Sequence, residues 1–121
     1  EILLRQEIAI KYVKEIKNKL ITMPIDTNIS LEDLKHHVFH LFVVRVENRD
    51  EFQLHMSNNK VGTMIHYPIP PHKQNAYLNY NSLSFPITEK IHKEVVSLPM
   101  GPNMDNADIS KVIEAANSYN G

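Results

Sequence analysis

The sequence contains no cysteine, and this absence excludes several kinds of chemistry. A chain without thiols forms no disulfide framework, holds no thiolate-bound metal and uses no cysteine nucleophile. The lack of disulfides agrees with a cytoplasmic location, which is the location we expect for this protein.

An excess of charge of either sign is also missing, as are long hydrophobic runs. The 13 basic and 14 acidic side chains leave a formal net charge of -1, so the chain lacks the electrostatic signature of a nucleic-acid or anionic-membrane binder. No apolar run approaches the roughly 18 residues of a membrane span, and no segment resembles a signal peptide. We therefore expect neither nucleic acid nor a membrane as a partner.

The residues that are present describe an ordinary globular protein. A hydrophobic content of 42% with 22% charged residues is typical of a soluble domain. The 121 residues are enough to bury a core, and we expect them to form a single domain over residues 1–121. Because the chain begins at Glu1 rather than methionine and a helical pattern starts at once, we expect a piece of a longer polypeptide.

Apolar residues recur at about one helical turn in four segments. The first segment predicts a long helix over residues 1–20, which Met23-Pro24 ends before a turn-rich connector at 24–35. A second, short helix begins with an Asn48–Glu51 capping box and ends near Asn59. A third covers 87–98, with an extended stretch at its end. The last helix is capped by Asp105 or Asn106, and its apolar face carries Ile109, Val112, Ile113 and Ala116.

Two segments have the composition of strands. Residues 37–46 form a near-continuous β-branched and aromatic run, apolar on both faces, and residues 61–67 follow the short helix as a second strand. Proline and asparagine make residues 68–86 a long ordered loop. The predicted fold class is α+β, with a small sheet of about three strands and helices packed mainly on one face.

Histidine is the most conspicuous polar residue type, with seven copies. On an extended backbone His36 and His40 would share one face and His37 the other, so three ligands do not meet at one point. His36 and His40 are four residues apart, but on an extended backbone they do not form the helical i, i+4 pair of a zinc protease, and cysteine is absent. We expect no metal site, and the simpler interpretation is that these histidines flank a strand.

A second group of candidates lies where the predicted strand 61–67 ends. There His66, Tyr67 and His72 surround a proline-rich turn that could direct two imidazoles and a phenol at a ligand. An exit loop with incidental histidines is an equally good interpretation of these residues alone. Arg45 and Arg49 could hold a carboxylate or phosphate, although an arginine that covers a core edge or a helix start is the commoner finding.

Several linked motifs occur in order along the chain. They are HVFHLFVVR at 37–45, NRD at 48–50, GTMIHYPIPPH at 62–72 and SLPMGP at 97–102. In this combination the chain resembles the C-terminal domain of the DegT/StrS sugar aminotransferases, and residues 86–89 resemble the start of that family's penultimate helix. The helix over 1–20 then resembles the element that leads in from a large domain missing here.

The resemblance implies a fold-type I aminotransferase small domain, whose intact enzyme is usually a homodimer. Such an enzyme moves an amino group from glutamate through pyridoxal phosphate (PLP) to a keto group of a nucleotide-linked sugar. In the family the histidine-tyrosine-proline segment borders the sugar pocket. The resemblance therefore assigns substrate contact to His66 and Tyr67 and, more weakly, to His72, and it assigns no catalytic residue.

The departures from the family pattern concern the cofactor. Catalysis requires a lysine that forms a Schiff base with PLP, and the family places it in a serine-rich context that surrounds no lysine here. With only three glycines, the chain also lacks a glycine-rich phosphate cradle. We expect no PLP bound to this chain and no transamination by it alone. The alternatives are a stand-alone ligand-binding domain and a protein-interaction domain without catalysis.

Overall fold

A three-stranded antiparallel sheet organises the part of the chain that the computed structural model describes, residues 1–30 and 32–121. The sheet has the order β1-β2-β3, so β2 is central. The strands and helices are, in chain order, α1 (Ile2–Glu15), β1 (Ile21–Thr22), β2 (Phe42–Val46), α2 (Arg49–Asn58), α3 (Pro86–Glu94), β3 (Val95–Leu98) and α4 (Asn106–Asn117). The predicted α+β class with about three strands is confirmed.

The pairing of β2 with β3 divides the sheet into two different faces. Phe42 lies opposite Leu98 and Val44 opposite Val96, and all four side chains are buried. Because side chains alternate along a strand, they share one face, and Ser97 lies on the other. The expectation that both faces of this strand are fully apolar is wrong, since Arg45 occupies the second face and is only half-buried.

The apolar face of the sheet is covered by α1, α2 and α4. Tyr12 of α1 packs edge-on against Phe42 with ring centroids 5.2 Å apart, and Phe52 of α2 packs edge-on against Tyr119 at 5.1 Å. The Tyr12 hydroxyl donates to the Pro99 carbonyl at 2.8 Å, which satisfies its one polar group. Burial, with a smaller contribution from Asp108, raises the pKa of Tyr12 well above its usual value.

The first helix ends earlier than its apolar spacing predicts. The backbone at Ile16 is extended, and the chain then turns at Asn18 into β1. The Asn18 side chain accepts from the Leu20 N–H at 3.0 Å and donates to the carbonyls of Ala116 at 2.9 Å and Tyr119 at 2.7 Å. The prediction of a helix over 1–20 is therefore wrong beyond Glu15, because this side-chain turn replaces the last helical turn.

The central strand is shorter than its composition predicts. Residues 37–41 are not extended: Phe39 has a φ of 44°, and its N–H donates to the His37 ring at 3.0 Å. This turn inserts the Phe39 side chain into the core, where it is 2% exposed. The predicted strand over 37–46 is therefore confirmed only for Phe42–Val46, and the predicted arrangement of His36, His37 and His40 on a strand is wrong.

The second predicted strand and the third predicted helix also differ from the structure. Within residues 61–67 a single bridge forms, between Met64 and Ser97. In the segment predicted as helix over 87–98, the helix ends at Glu94 and the last four residues are β3, so the extended stretch is longer than predicted. Tertiary pairing with β2 decides the conformation here, because Val95 and Val96 are β-branched and gain partners in the sheet.

The remaining elements show how local sequence sets helix starts. The Asp105 cap of α4 is confirmed. The Asp105 carboxylate accepts from the Asp108 N–H at 2.8 Å, and the Asp108 carboxylate accepts from the Asp105 N–H. The predicted capping box at the start of α2 is wrong, since the Asn48 side chain makes no capping bond.

The predicted connector 24–35 includes Leu31, which lies outside the described residues.

None of the helices in the described ranges combines the length and the apolar character that crossing a bilayer requires.

We predict that Gln6→Leu destabilises the protein by about 1–3 kcal/mol, because it removes a buried donor from two backbone acceptors. The Gln6 amide lies inside the protein and donates to the carbonyls of Leu34 and His37, each at 2.9 Å. Urea denaturation followed by circular dichroism measures the effect. Glu7→Leu, at an exposed position on the same helix, is the matched control. Equal midpoints for the two variants would contradict the prediction.

Candidate functional site

The site lies at the free edge of β3, where residues 62–67 run alongside the strand. Met64 and Ser97 exchange two backbone hydrogen bonds, of 3.2 Å from the Met64 N–H and 2.7 Å from the Ser97 N–H. This short bridge positions the following residues, His66 and Tyr67, against the polar face of the sheet. The peptide bond between His66 and Tyr67 is cis.

His66 lines a cleft of about 360 Å³ beside this bridge. Its Nδ1 lies 2.9 Å from the Ser97 Oγ, and its ring packs edge-on against Tyr67. The cleft is mainly apolar, with the imidazole, Thr63 and Ser97 as its polar side chains. Its lining residues are Leu41, Gly62, Thr63, Met64, His66, Ser97, Leu98, Pro99 and Met100. This lining contains no lysine, arginine or carboxylate.

Tyr67 is held through its backbone and presents its side chain to solvent. The Tyr67 carbonyl accepts from His92 Nδ1 at 2.5 Å. Tyr67 as a whole is 66% exposed. The His92 carbonyl in turn accepts from Arg49 at 2.6 Å. Through this bond Arg49 supports the residue that holds the Tyr67 backbone.

Arg45 is also engaged within the protein. Its Nε and Nη2 donate to one carboxylate oxygen of Glu94, at 2.9 and 2.5 Å, and Lys90 lies 3.7 Å from the other oxygen of that carboxylate. The pair joins the polar face of β2 to the end of α3. Nε and Nη2 of the Arg45 guanidinium are therefore used within the protein.

His72 occupies a different place from His66. It is buried, its Nε2 donates to a carboxylate oxygen of Glu89 at 2.9 Å, and its ring packs edge-on against Phe85 at 4.8 Å. It does not line the cleft of His66. The structure therefore brings His66 and Tyr67 together, whereas substrate contact by His72 stays a prediction.

The loop that contains His72 is closed by polar side chains rather than by strands. It has 3-10 turns at Pro71–Lys73 and Asn75–Tyr80. The Asn81 amide donates to the carbonyls of His72 at 2.8 Å, Gln74 at 3.2 Å and Tyr77 at 3.1 Å, which ties these turns together. The predicted long ordered loop over 68–86 is confirmed as a loop with helical turns inside it.

Three residues that support this arrangement are not among the candidate site residues that the sequence predicts. Ser97 and His92 support His66 and Tyr67, and Glu89 holds His72. Ser97 occurs within the SLPMGP motif and directly follows the apolar residues Val95 and Val96, a position that could have marked it as a buried polar group. Glu89 and His92 lie on α3 among other charged residues, and only the tertiary structure distinguishes them.

No group of three or more His, Cys, Asp or Glu side chains that could hold a metal occurs within residues 1–30 and 32–121. His36, His37 and His40 are exposed. His37 stacks on Phe39 with centroids 3.9 Å apart and supports the turn before β2.

Comparison with known protein families and structures gives a consistent result. The DegT/DnrJ/EryC1/StrS aminotransferase family matches residues 2–117. One curated relative, the dTDP-3-amino-3,6-dideoxy-alpha-D-galactopyranose transaminase of Aneurinibacillus thermoaerophilus, is 50% identical over 115 residues, which cover 95% of this chain and 30% of the relative. The chain thus spans about 30% of the length of this relative.

Solved structures of the same kind share the fold. DesV of S. venezuelae, in complex with a ketimine intermediate, superposes with a TM-score of 0.78 at 31% identity, covering 93% of this chain and 30% of DesV. The structure of ntda from Bacillus subtilis with bound cofactor PMP has a TM-score of 0.77 at 28% identity, covering 93% of this chain and 27% of that protein.

We predict that the Glu89 carboxyl titrates below the ordinary glutamate range of about 4.3. The hydrogen bond from His72 is the largest cause of its lowered pKa, followed by the Phe85 N–H at 3.1 Å. Because the folded pKa is lowered, the stabilising contribution of Glu89 is present above its unfolded pKa and is lost as pH falls through the folded pKa.

The Phe85 amide resonance, followed by NMR through acid pH, reports this titration. Glu89→Gln should abolish the transition, whereas Glu114→Gln, on the exposed side of α4, should leave it unchanged. A Phe85 transition at or above the ordinary glutamate value would show that the His72–Glu89 contact does not hold in solution.

Proposed function

Because this chain belongs to the DegT/DnrJ/EryC1/StrS aminotransferase family, we propose that it is the C-terminal small domain of a nucleotide-sugar aminotransferase. The whole enzyme moves an amino group from glutamate, through PLP, to a keto group of a nucleotide-linked sugar. The observation that carries this proposal is the high identity, along almost the entire chain, to a transaminase of a dTDP-linked amino sugar.

In this proposal the cleft at the free edge of β3 is the sugar-facing side of the domain. His66 presents an imidazole at the cleft, and the exposed Tyr67 phenol lies next to it. Both groups can hydrogen-bond to sugar hydroxyl oxygens, and an aromatic ring can pack on the apolar face of a sugar ring. His72 contributes more weakly, because its Nε2 is already used by Glu89.

The residues at the cleft do not fit PLP itself. A Schiff base requires a lysine, and the lining contains none; within the described ranges no lysine is buried. The lining also offers no arginine or lysine to the cofactor phosphate. We therefore assign the cofactor to parts of the enzyme outside these 121 residues, and we derive no chemical step from this chain alone.

The proposed enzyme is a cytoplasmic homodimer, as is usual for the family. In the isolated chain the start of α1 exposes an apolar surface, because Ile2, Leu3 and Leu4 are all exposed, Leu3 by 73%. Val38 lies beside them and is also exposed, so the patch continues onto the turn before β2. In the intact enzyme we expect α1 to pack partly on the large domain.

The function is tested by measuring amino transfer from glutamate to dTDP-linked keto sugars with a whole enzyme that contains this sequence. In that enzyme, His66→Ala and Tyr67→Phe should each raise KM for the sugar by about fivefold, since one lost hydrogen bond costs on the order of 1 kcal/mol. Lys111→Ala, on the exposed side of α4, is the control with unchanged kinetics. Absence of transfer to any such sugar would favour a binding domain without catalysis.

We predict that this chain self-associates through the start of α1. Light scattering over a concentration series should show a rising mass for the unmodified chain. Leu3→Glu should shift the chain towards monomer, because it places a charge within the apolar patch, whereas Glu7→Gln should not. A strictly monomeric unmodified chain at high concentration would contradict the prediction.

A further inference from the structure

Ser97 makes three hydrogen bonds to the segment that carries His66. Its N–H and carbonyl both bond to the Met64 backbone, and its hydroxyl bonds to the His66 ring. Ser97 is 5% exposed, with neighbouring positions of β3 also buried. A single residue of the sheet thus fixes both the path of the backbone at 64 and the orientation of the imidazole at 66.

We infer the direction of the hydrogen bond between Ser97 and His66 from the burial of Ser97, which is 5% exposed. A buried hydroxyl proton without an acceptor costs about 1–3 kcal/mol, so such protons are nearly always bonded. In the part of the chain that the structure describes, the one hydrogen-bond partner of Ser97 Oγ is His66 Nδ1. The arrangement that satisfies this proton within the protein is the one in which Ser97 donates and Nδ1 accepts.

An imidazole that accepts at Nδ1 while neutral must carry its proton on Nε2. Among the described residues, no hydrogen bond forms at His66 Nε2, and the ring lines the cleft. No charged side chain lines the cleft to compete for this N–H. The free nitrogen is thus available to a ligand as a donor.

We propose that Ser97 is a positioning residue that holds the neutral His66 imidazole as its Nε2–H tautomer, so that the cleft recognises an oxygen acceptor. The tautomer is a property of this chain alone. The identity of the acceptor rests on the proposed function: it is a hydroxyl, keto or ring oxygen of the sugar. A ligand group with only a donor to offer, such as an ammonium, finds no partner at His66.

The tautomer can be read directly by NMR on the 121-residue chain labelled with ¹⁵N-histidine, at a pH where the His66 ring is neutral. Two-bond ¹H–¹⁵N correlations distinguish a protonated from an unprotonated ring nitrogen, and loss of one signal set in His66→Gln identifies His66. The expected result is a single Nε2–H tautomer. A predominant Nδ1–H form would overturn the proposal.

Substitution of the hydroxyl tests whether Ser97 is the cause. Ser97→Ala should replace the single tautomer by a mixture of both tautomers. Ser97→Thr, which keeps a hydroxyl, should retain the single tautomer, as should Ser57→Ala at an exposed position of α2. Slow exchange of the amides of Met64 and of residue 97 shows that the bridge persists in each variant. A Ser97→Ala spectrum identical to the unmodified one would also overturn the proposal.

No substrate or cofactor enters these measurements. Failure of the whole enzyme to transfer an amino group would leave the tautomer result standing, and failure of the tautomer result would leave the amino-transfer assay standing. The two proposals are therefore refuted by different observations.

Discussion

The antiparallel pairing of β2 with β3 is the constraint on which both the core and the site depend. The register of this pairing places Phe42 opposite Leu98 and Val44 opposite Val96. These four side chains form the part of the core that the sheet contributes. The same register turns Ser97 to the opposite face, where it holds the segment of His66. A shift by one residue would move the apolar side chains out of the core and turn Ser97 into it, so core packing and site geometry are specified together.

Outside the sheet, a few polar side chains hold segments of the chain together through hydrogen bonds. Gln6 ties the turn before β2 to α1, Asn81 gathers three carbonyls of the long loop, and His72 with Glu89 closes that loop against α3. Gln6 and His72 are buried, so loss of their partners would leave a buried polar atom unpaired.

The sequence was sufficient for the fold class, α2, α4 with its cap, and the grouping of His66 with Tyr67, because these depend on local periodicity and motif order. It was insufficient where tertiary contacts override local preference. Residues 95–98 have helical spacing but pair with β2, and residues 37–41 have strand composition but turn at Phe39. For the site, the partners Ser97 and His92 come from a distant strand and helix, which spacing cannot relate to His66 and Tyr67.

We propose that this chain forms the sugar-facing side of an aminotransferase and that the rest of the enzyme holds the cofactor. The most direct test is the absorbance spectrum of the 121-residue chain titrated with PLP, before and after borohydride, beside a longer polypeptide that contains it. We predict a stoichiometric, borohydride-sensitive band in the longer polypeptide alone. Such a band in the 121-residue chain would contradict the account, because a lysine within it would then hold the cofactor.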